Sequence, residues 1–138
     1  MFTATLRHRD FALATLLCIT ACAAADPTTE TPTLTAAEER KGKIAFLQCR
    51  SCHTVDADGA HLTGPNLYGL LGAAAAAKTD YQYSDALRES AIVWGPETLD
   101  EWLANPAAYV TGNRMAFAGI ANAEDREILI RYLAAVTQ

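Results

Sequence analysis

From about residue 35 onward, apolar and polar positions repeat at helical rather than strand spacing. In the last segment Ile128, Leu129, Tyr132, Leu133 and Val136 fall on one stripe of a 3.6-residue repeat, and Asn122 is placed to cap the helix that carries them. Thr35-Ala36-Ala37-Glu38 has the pattern of a capping box, in which a hydroxyl and a carboxylate satisfy free N–H groups at a helix start, so a helix is expected from there towards Gln48. Thr98-Leu99-Asp100-Glu101 repeats that pattern and predicts a short helix stopped before Pro106, while a shorter one is expected to start at Ser84. Gly64-Pro65, Gly69, Gly72, Gly95-Pro96 and Gly112 mark loops, and no alternation of apolar and polar residues is long enough to predict a strand. Ala73 to Ala77, followed by Lys78, is a low-complexity stretch readable as a helical turn or as a loop. The expected class is all-α, with three to five short helices and long loops.

The pattern upstream is different. Arg7, His8 and Arg9 precede an apolar run from Phe11 to Ala21, eleven residues long. At 1.5 Å per residue that is too short for a bilayer core of about 30 Å, so residues 1–21 read as a signal peptide. Its end, Ile19-Thr20-Ala21-Cys22, resembles the lipobox of bacterial lipoproteins, which implies lipidation of Cys22 and a mature chain anchored to a membrane. Cleavage after Ala23-Ala24-Ala25 would instead release a soluble protein. Residues 22–34 are rich in Thr, Pro, Ala and acidic residues and cannot bury a core, so they are expected to form a flexible tether. The folded domain is then 35–138, exported and periplasmic.

The 138 residues, 51% hydrophobic and 20% charged, allow one domain of ordinary size. Eleven Lys and Arg against sixteen Asp and Glu argue against a nucleic-acid binder, whose affinity rests on neutralising phosphates. From Cys22 onward the count is nine against fifteen, a net of −6, which favours a partner with a basic patch. A domain of this size buries only about two thirds of its unfolded surface, and its few short helices suggest that something else fills the centre.

Cys49-Arg50-Ser51-Cys52-His53 supplies a candidate. On a helical turn, positions i, i+3 and i+4 share one face, so two thiols can add to the two vinyl groups of a haem while the imidazole reaches its iron. A redox-active C-x-x-C would be expected in a βαβ setting, and a zinc site would need two more ligands where the domain offers only His61. A disulfide between residues three apart restricts the unfolded chain little. For the second axial position, Met1 leaves with the signal peptide and Met115, sixty-two residues beyond His53, is the only thioether remaining. His61 lies too close in sequence to wrap readily to the opposite face of a haem, which makes bis-histidine ligation the lesser alternative.

The chain from Gly42 to Leu133 resembles the class I c-type cytochromes of the soluble mitochondrial and bacterial type. The resemblance is carried in order by Cys49-Arg50-Ser51-Cys52-His53-Thr54, Thr63-Gly64-Pro65-Asn66-Leu67, Tyr81-Gln82-Tyr83-Ser84, Trp94, Trp102-Leu103-Ala104-Asn105-Pro106, Met115-Ala116-Phe117-Ala118-Gly119-Ile120 and Leu129-Ile130-Arg131-Tyr132-Leu133. It implies a cytochrome c fold around one covalent haem c and a one-electron carrier rather than an enzyme, monomeric and serving a membrane oxidase, reductase or dehydrogenase. It implies that the Pro65 carbonyl orients His53, that Tyr83, Trp94 and Asn113 hydrogen-bond haem propionates, and that Gly42 and Phe46 cross against Leu129 and Tyr132. Departures from the family pattern are Ala73 in place of a propionate-neutralising Arg, Asp80 for a glycine, Leu87 for a buried Asn, Thr111 for a proline, and Trp102 for a tyrosine that contacts the ligand sulfur. The competing function is a peroxidase or gas sensor with a displaceable Met115.

Overall fold

The computed structural model describes Met1 and residues 33–138, so the expected signal peptide, Cys22 and most of the 22–34 tether lie outside the described residues. Among the described residues five helices follow in order: α1 Ala36–Phe46, α2 Asp85–Arg88, α3 Pro96–Ala104, α4 Pro106–Tyr109 and α5 Ala123–Val136. Among the described residues there is no strand, only one antiparallel bridge between Ala74 and Val93. No helix among them is long and apolar enough to cross a membrane.

Three helix starts follow the sequence. At α1, Thr35 Oγ1 accepts the Glu38 N–H at 3.3 Å, and the Glu38 carboxylate accepts the Thr35 N–H at 2.8 Å. Those bonds, with Arg131 of α5 adding an ion pair at 2.7 Å, hold the Glu38 carboxyl at about 2, far below its ordinary value. Asn122 Oδ1 accepts the N–H groups of Glu124 and Asp125 at the head of α5, and Ser84 Oγ accepts that of Leu87 at α2.

α3 differs from expectation. It opens at Pro96, and Thr98 is its third residue rather than its cap: the hydroxyl accepts the Gly95 N–H at 2.8 Å and donates to the Val93 carbonyl at 2.9 Å. Proline at the first helical position has its φ already set and no N–H to leave unsatisfied, and that start wins. The helix does stop before Pro106, but Asn105 and Pro106 then begin a further turn, α4, with Asn105 Oδ1 accepting the Ala108 N–H at 3.1 Å. The Ala73–Ala77 stretch is a loop, pinned to 92–94 by bonds from the Trp94 N–H to the Ala73 carbonyl and from the Ala75 N–H to the Ile92 carbonyl.

α1 crosses α5 at a point only glycine allows. A Cβ on Gly42 would lie 2.4 Å from Tyr132 Cβ, and the Phe46 and Tyr132 rings meet one turn on with centroids 6.0 Å apart. α3 packs on α5 and brings Leu99, Trp102 and Leu103 into one core with Leu129, Ile130 and Leu133. The buried stripe of α5 is rotated slightly from the expected one, with Ile130 inside and Ile128 only partly covered. Arg126 straps the two helices: Nε and Nη2 donate to Asp100 at 2.7 and 3.1 Å, and Nη1 donates to the Ile120 carbonyl at 2.9 Å. Asp100 is therefore an ion-pair partner of α5, and the guanidinium holds its carboxyl below the usual range. Leu34, read from sequence as the end of the tether, rests against this core.

Candidate functional site

The turn that follows α1 sets the site. The N–H of Cys52 and that of His53 both donate to the Cys49 carbonyl at 3.0 Å, which closes a helical turn and puts the two sulfurs and the imidazole on one face. Both thiols are free. Cys49 is partly buried, and burial, with the neighbouring Cys52 adding to it, pushes its thiol up to about 11. Among the described residues no three His, Cys, Asp or Glu side chains converge as metal ligands.

His53 is held by its far side. Its Nδ1 lies 2.7 Å from the Pro65 carbonyl, and since a carbonyl only accepts, Nδ1 carries the proton and Nε2 keeps a free lone pair. Burial lowers the His53 pKa, with the Pro65 bond opposing, and favours the neutral ring a metal needs. The ring abuts Gly64, where a Cβ would approach it to 2.3 Å. The 54–68 loop beneath is fixed by Asn66, 5% exposed, whose Nδ2 donates to Thr54 Oγ1 and the Asp56 carbonyl and whose Oδ1 accepts the Tyr68 N–H.

His61 belongs to this scaffold. Its Nδ1 accepts the Asn66 N–H at 2.8 Å and its Nε2 meets Asp80 Oδ1 at 3.0 Å, so both ring nitrogens are committed. That removes the geometric basis for bis-histidine ligation. Asp80, a departure from the family pattern, gives this histidine its carboxylate partner, and the Asp80 carboxyl is lowered by that bond first of all.

Cys49, Cys52, His53 and Met115 line one cavity of about 580 Å³, a size suited to a cofactor. Its wall is largely apolar, with Leu70, Leu99, Phe117, Leu129 and Leu133 from distant parts of the chain, and Tyr83, Trp94, Trp102 and Asn113 reach it too. Pro65 lines it beside His53. Trp102 stacks edge-on against Trp94, centroids 5.5 Å apart, and against Tyr109 at 6.4 Å. Tyr83 is half-buried, and burial raises its phenol pKa while the Lys78 backbone N–H opposes. Two thiols, an imidazole with a free lone pair, a thioether and an apolar lining are a donor set that fits a c-type haem.

Asn113, which also lines the cavity, is bonded within its own loop. Its two amide hydrogens go to the Pro106 and Val110 carbonyls at 2.8 and 2.9 Å, and its Oδ1 accepts the Met115 N–H at 2.8 Å. The residue ties the Met115 loop to α4. Sequence reasoning could have noticed the Asn-x-Met spacing, since Asn side chains often close turns two residues on. It missed Asn66 and Lys78 as site-forming groups, and their partners are set by loops that only tertiary packing brings together.

A family model described as Cytochrome c matches residues 39–137. The chain is 43% identical over 98 residues to a protein named Cytochrome c from Chlamydomonas reinhardtii, covering 71% of this chain and 88% of that one. It is 43% identical over 95 residues to Cytochrome c of Gibberella zeae, 68% of this chain and 90% of the relative. With Cytochrome c of Theileria parva the identity is 44% over 91 residues, covering 66% and 78%.

Proposed function

The chain belongs to the cytochrome c family and is an electron carrier with one covalent haem c, not an enzyme, and on that premise we propose that His53 and Met115 are its axial ligands, with Cys49 and Cys52 as the thioether links. The observation that carries this reading is that Cys49, Cys52, His53 and Met115 line a single cavity, with His53 Nδ1 bonded to Pro65 so that Nε2 keeps its lone pair. The bound haem supplies a one-electron ferric–ferrous couple, whose potential His/Met ligation raises relative to bis-His ligation. The protein's part is to hold and to shield. Pro65 fixes the His53 tautomer and ring orientation, Asn113 holds the Met115 backbone, and the apolar wall limits water around the site. Tyr83 and Trp94 line the same cavity, and their phenol and indole N–H are groups suited to the haem carboxylates.

The carrier exchanges electrons with partner proteins. We assign it to the periplasmic side of a membrane, exported by residues 1–21, with Cys22 as lipid anchor and the residues from there up to 33 as tether. The suggested partner is an oxidase, reductase or dehydrogenase complex with a basic docking patch, since the chain from Cys22 carries a net −6. Mass spectrometry of the mature N-terminus tests the anchor: a lipidated Cys22 is expected, and an unmodified start at Asp26 overturns it.

An optical spectrum of the purified holoprotein, ferric and ferrous, with and without carbon monoxide and cyanide, tests the ligation. A methionine-to-ferric-haem charge-transfer band, low-spin spectra and slow ligand uptake are expected, and Met115→Ala should abolish the band and lower the potential. High-spin features or fast carbon monoxide binding in the parent protein would overturn the closed His53–Met115 site.

A further inference from the structure

We propose that Lys78 is a haem-binding residue of this chain, its ammonium compensating the haem carboxylates from the cavity wall and thereby raising the reduction potential. The observation is one of charge. The residues lining the cavity include no Asp or Glu and two basic side chains, Lys78 and Arg114. A haem brings two carboxylates, and an anion taken out of water without a partner is strongly disfavoured.

The two cations are not equivalent. Arg114 is exposed and its guanidinium donates to the Gln82 carbonyl, so it bridges two loops at the surface. Lys78 is half-buried, and its Nζ donates to the Tyr68 carbonyl at 2.7 Å. An ammonium has three donors, so two remain. Among the described residues no carboxylate lies within ion-pair distance of it. Its charge does reach the neighbouring Asp80 carboxyl, which it helps to lower, and its backbone N–H faces the Tyr83 phenol. Lys78 thus stands beside the polar part of an otherwise apolar wall. The loop before it offers only methyl groups at Ala73, Ala74, Ala76 and Ala77, which leave that side of the cavity without any other charge.

A purely structural lysine, there to fasten its loop to Tyr68, would need a donor but not a charge, and this separates the readings. The holoprotein is made as parent, Lys78→Gln, Lys78→Arg and, as a control on an exposed residue that does not line the cavity, Lys41→Gln. Glutamine keeps an N–H for the Tyr68 carbonyl and loses the charge. Losing a cation from the haem cavity favours the ferric form, so K78Q should show an unchanged low-spin spectrum and a three- to tenfold shift of the ferric-to-ferrous ratio at fixed poise. That is a fall of about 30 to 60 mV at 59 mV per tenfold. K78R and K41Q should keep the parent potential.

A shift below twofold in K78Q, or an equal shift in K78R, overturns the assignment. If K78Q takes up no haem, rescue by K78R supports it and failure of both variants overturns it. The assignment rests on the haem site proposed above, and the two fail differently: a parent protein without the methionine charge-transfer band would defeat the ligation before any lysine variant is compared.

Discussion

Replacing Gly42 with alanine puts a methyl group where Tyr132 already stands. The added Cβ would lie 2.4 Å from Tyr132 Cβ, 2.6 Å from Cγ and 2.8 Å from Cδ2. Rotating the tyrosine ring relieves the last of these but not the first, because Cβ is fixed to the α5 backbone. Carbon atoms pack at about 3.5 to 4.0 Å, so the two helices must separate by roughly 1 Å. A gap of that size forfeits about a quarter to a half of each neighbouring contact, including those around Phe46 and Leu129, and overpacking of this kind costs about 1–3 kcal/mol. The clash joins two backbones, which puts it at or beyond the upper end. Against it stands a gain of about 1 kcal/mol from removing a glycine inside a helix. The net expectation is a loss of about 2 kcal/mol, or about 8–16 °C in Tm for a domain of this size. Guanidinium unfolding of the holoprotein followed by circular dichroism measures it. Lys41→Ala, at an exposed site on the same helix, should change stability by less than about 0.5 kcal/mol. A Gly42→Ala protein as stable as the parent, or more stable by the propensity gain, would refute the claim that this crossing is set by a backbone approach.

Three further outcomes are expected. Asn113→Ala removes the bond to the Met115 N–H and two to the α4 region, so cyanide should displace the sixth ligand about 5- to 30-fold more readily, as 1–2 kcal/mol of lost hydrogen bonding implies; unchanged displacement would deny it a role in holding the loop. Thr35→Ala should cost about 1 kcal/mol through the lost cap, read as a fall in the denaturation midpoint. Glu38, depressed to about 2 when folded, contributes stability that is complete above about pH 4.5 and is lost as pH falls towards 2; acid unfolding of Glu38→Gln should therefore be flatter across that window than the parent's, and an identical acid limb would contradict the assignment.

Much of this molecule is readable in its sequence because the decisive signals are local. Thr35 with Glu38, Ser84 and Asn122 announce helix starts through bonds that span two or three residues, and the stripe around Leu129 announces a buried face. The Cys49–His53 spacing names a covalent haem for the same reason, since one helical turn contains the whole motif. Where two local signals compete, the sequence is ambiguous. Thr98 and Pro96 both look like the start of α3, and Asn105-Pro106 reads as a stop when it is also a start.

What tertiary structure alone decided are the pairings between loops distant in the chain. The composition nominates Met115 by leaving no other thioether, but the Asn113 bonds that hold its loop depend on where α4 lies. The resemblance gave Asn113 a propionate; the pairing of its amide with the carbonyls of Pro106 and Val110 comes from the fold. His61 has its two nitrogens taken by Asn66 and Asp80, and Lys78 its place on the cavity wall, only because the loops around 61–68 and 76–83 are folded together. A hydrogen bond between such loops leaves no period or cap in the sequence, because its geometry is fixed by packing and loop closure rather than by neighbouring residues.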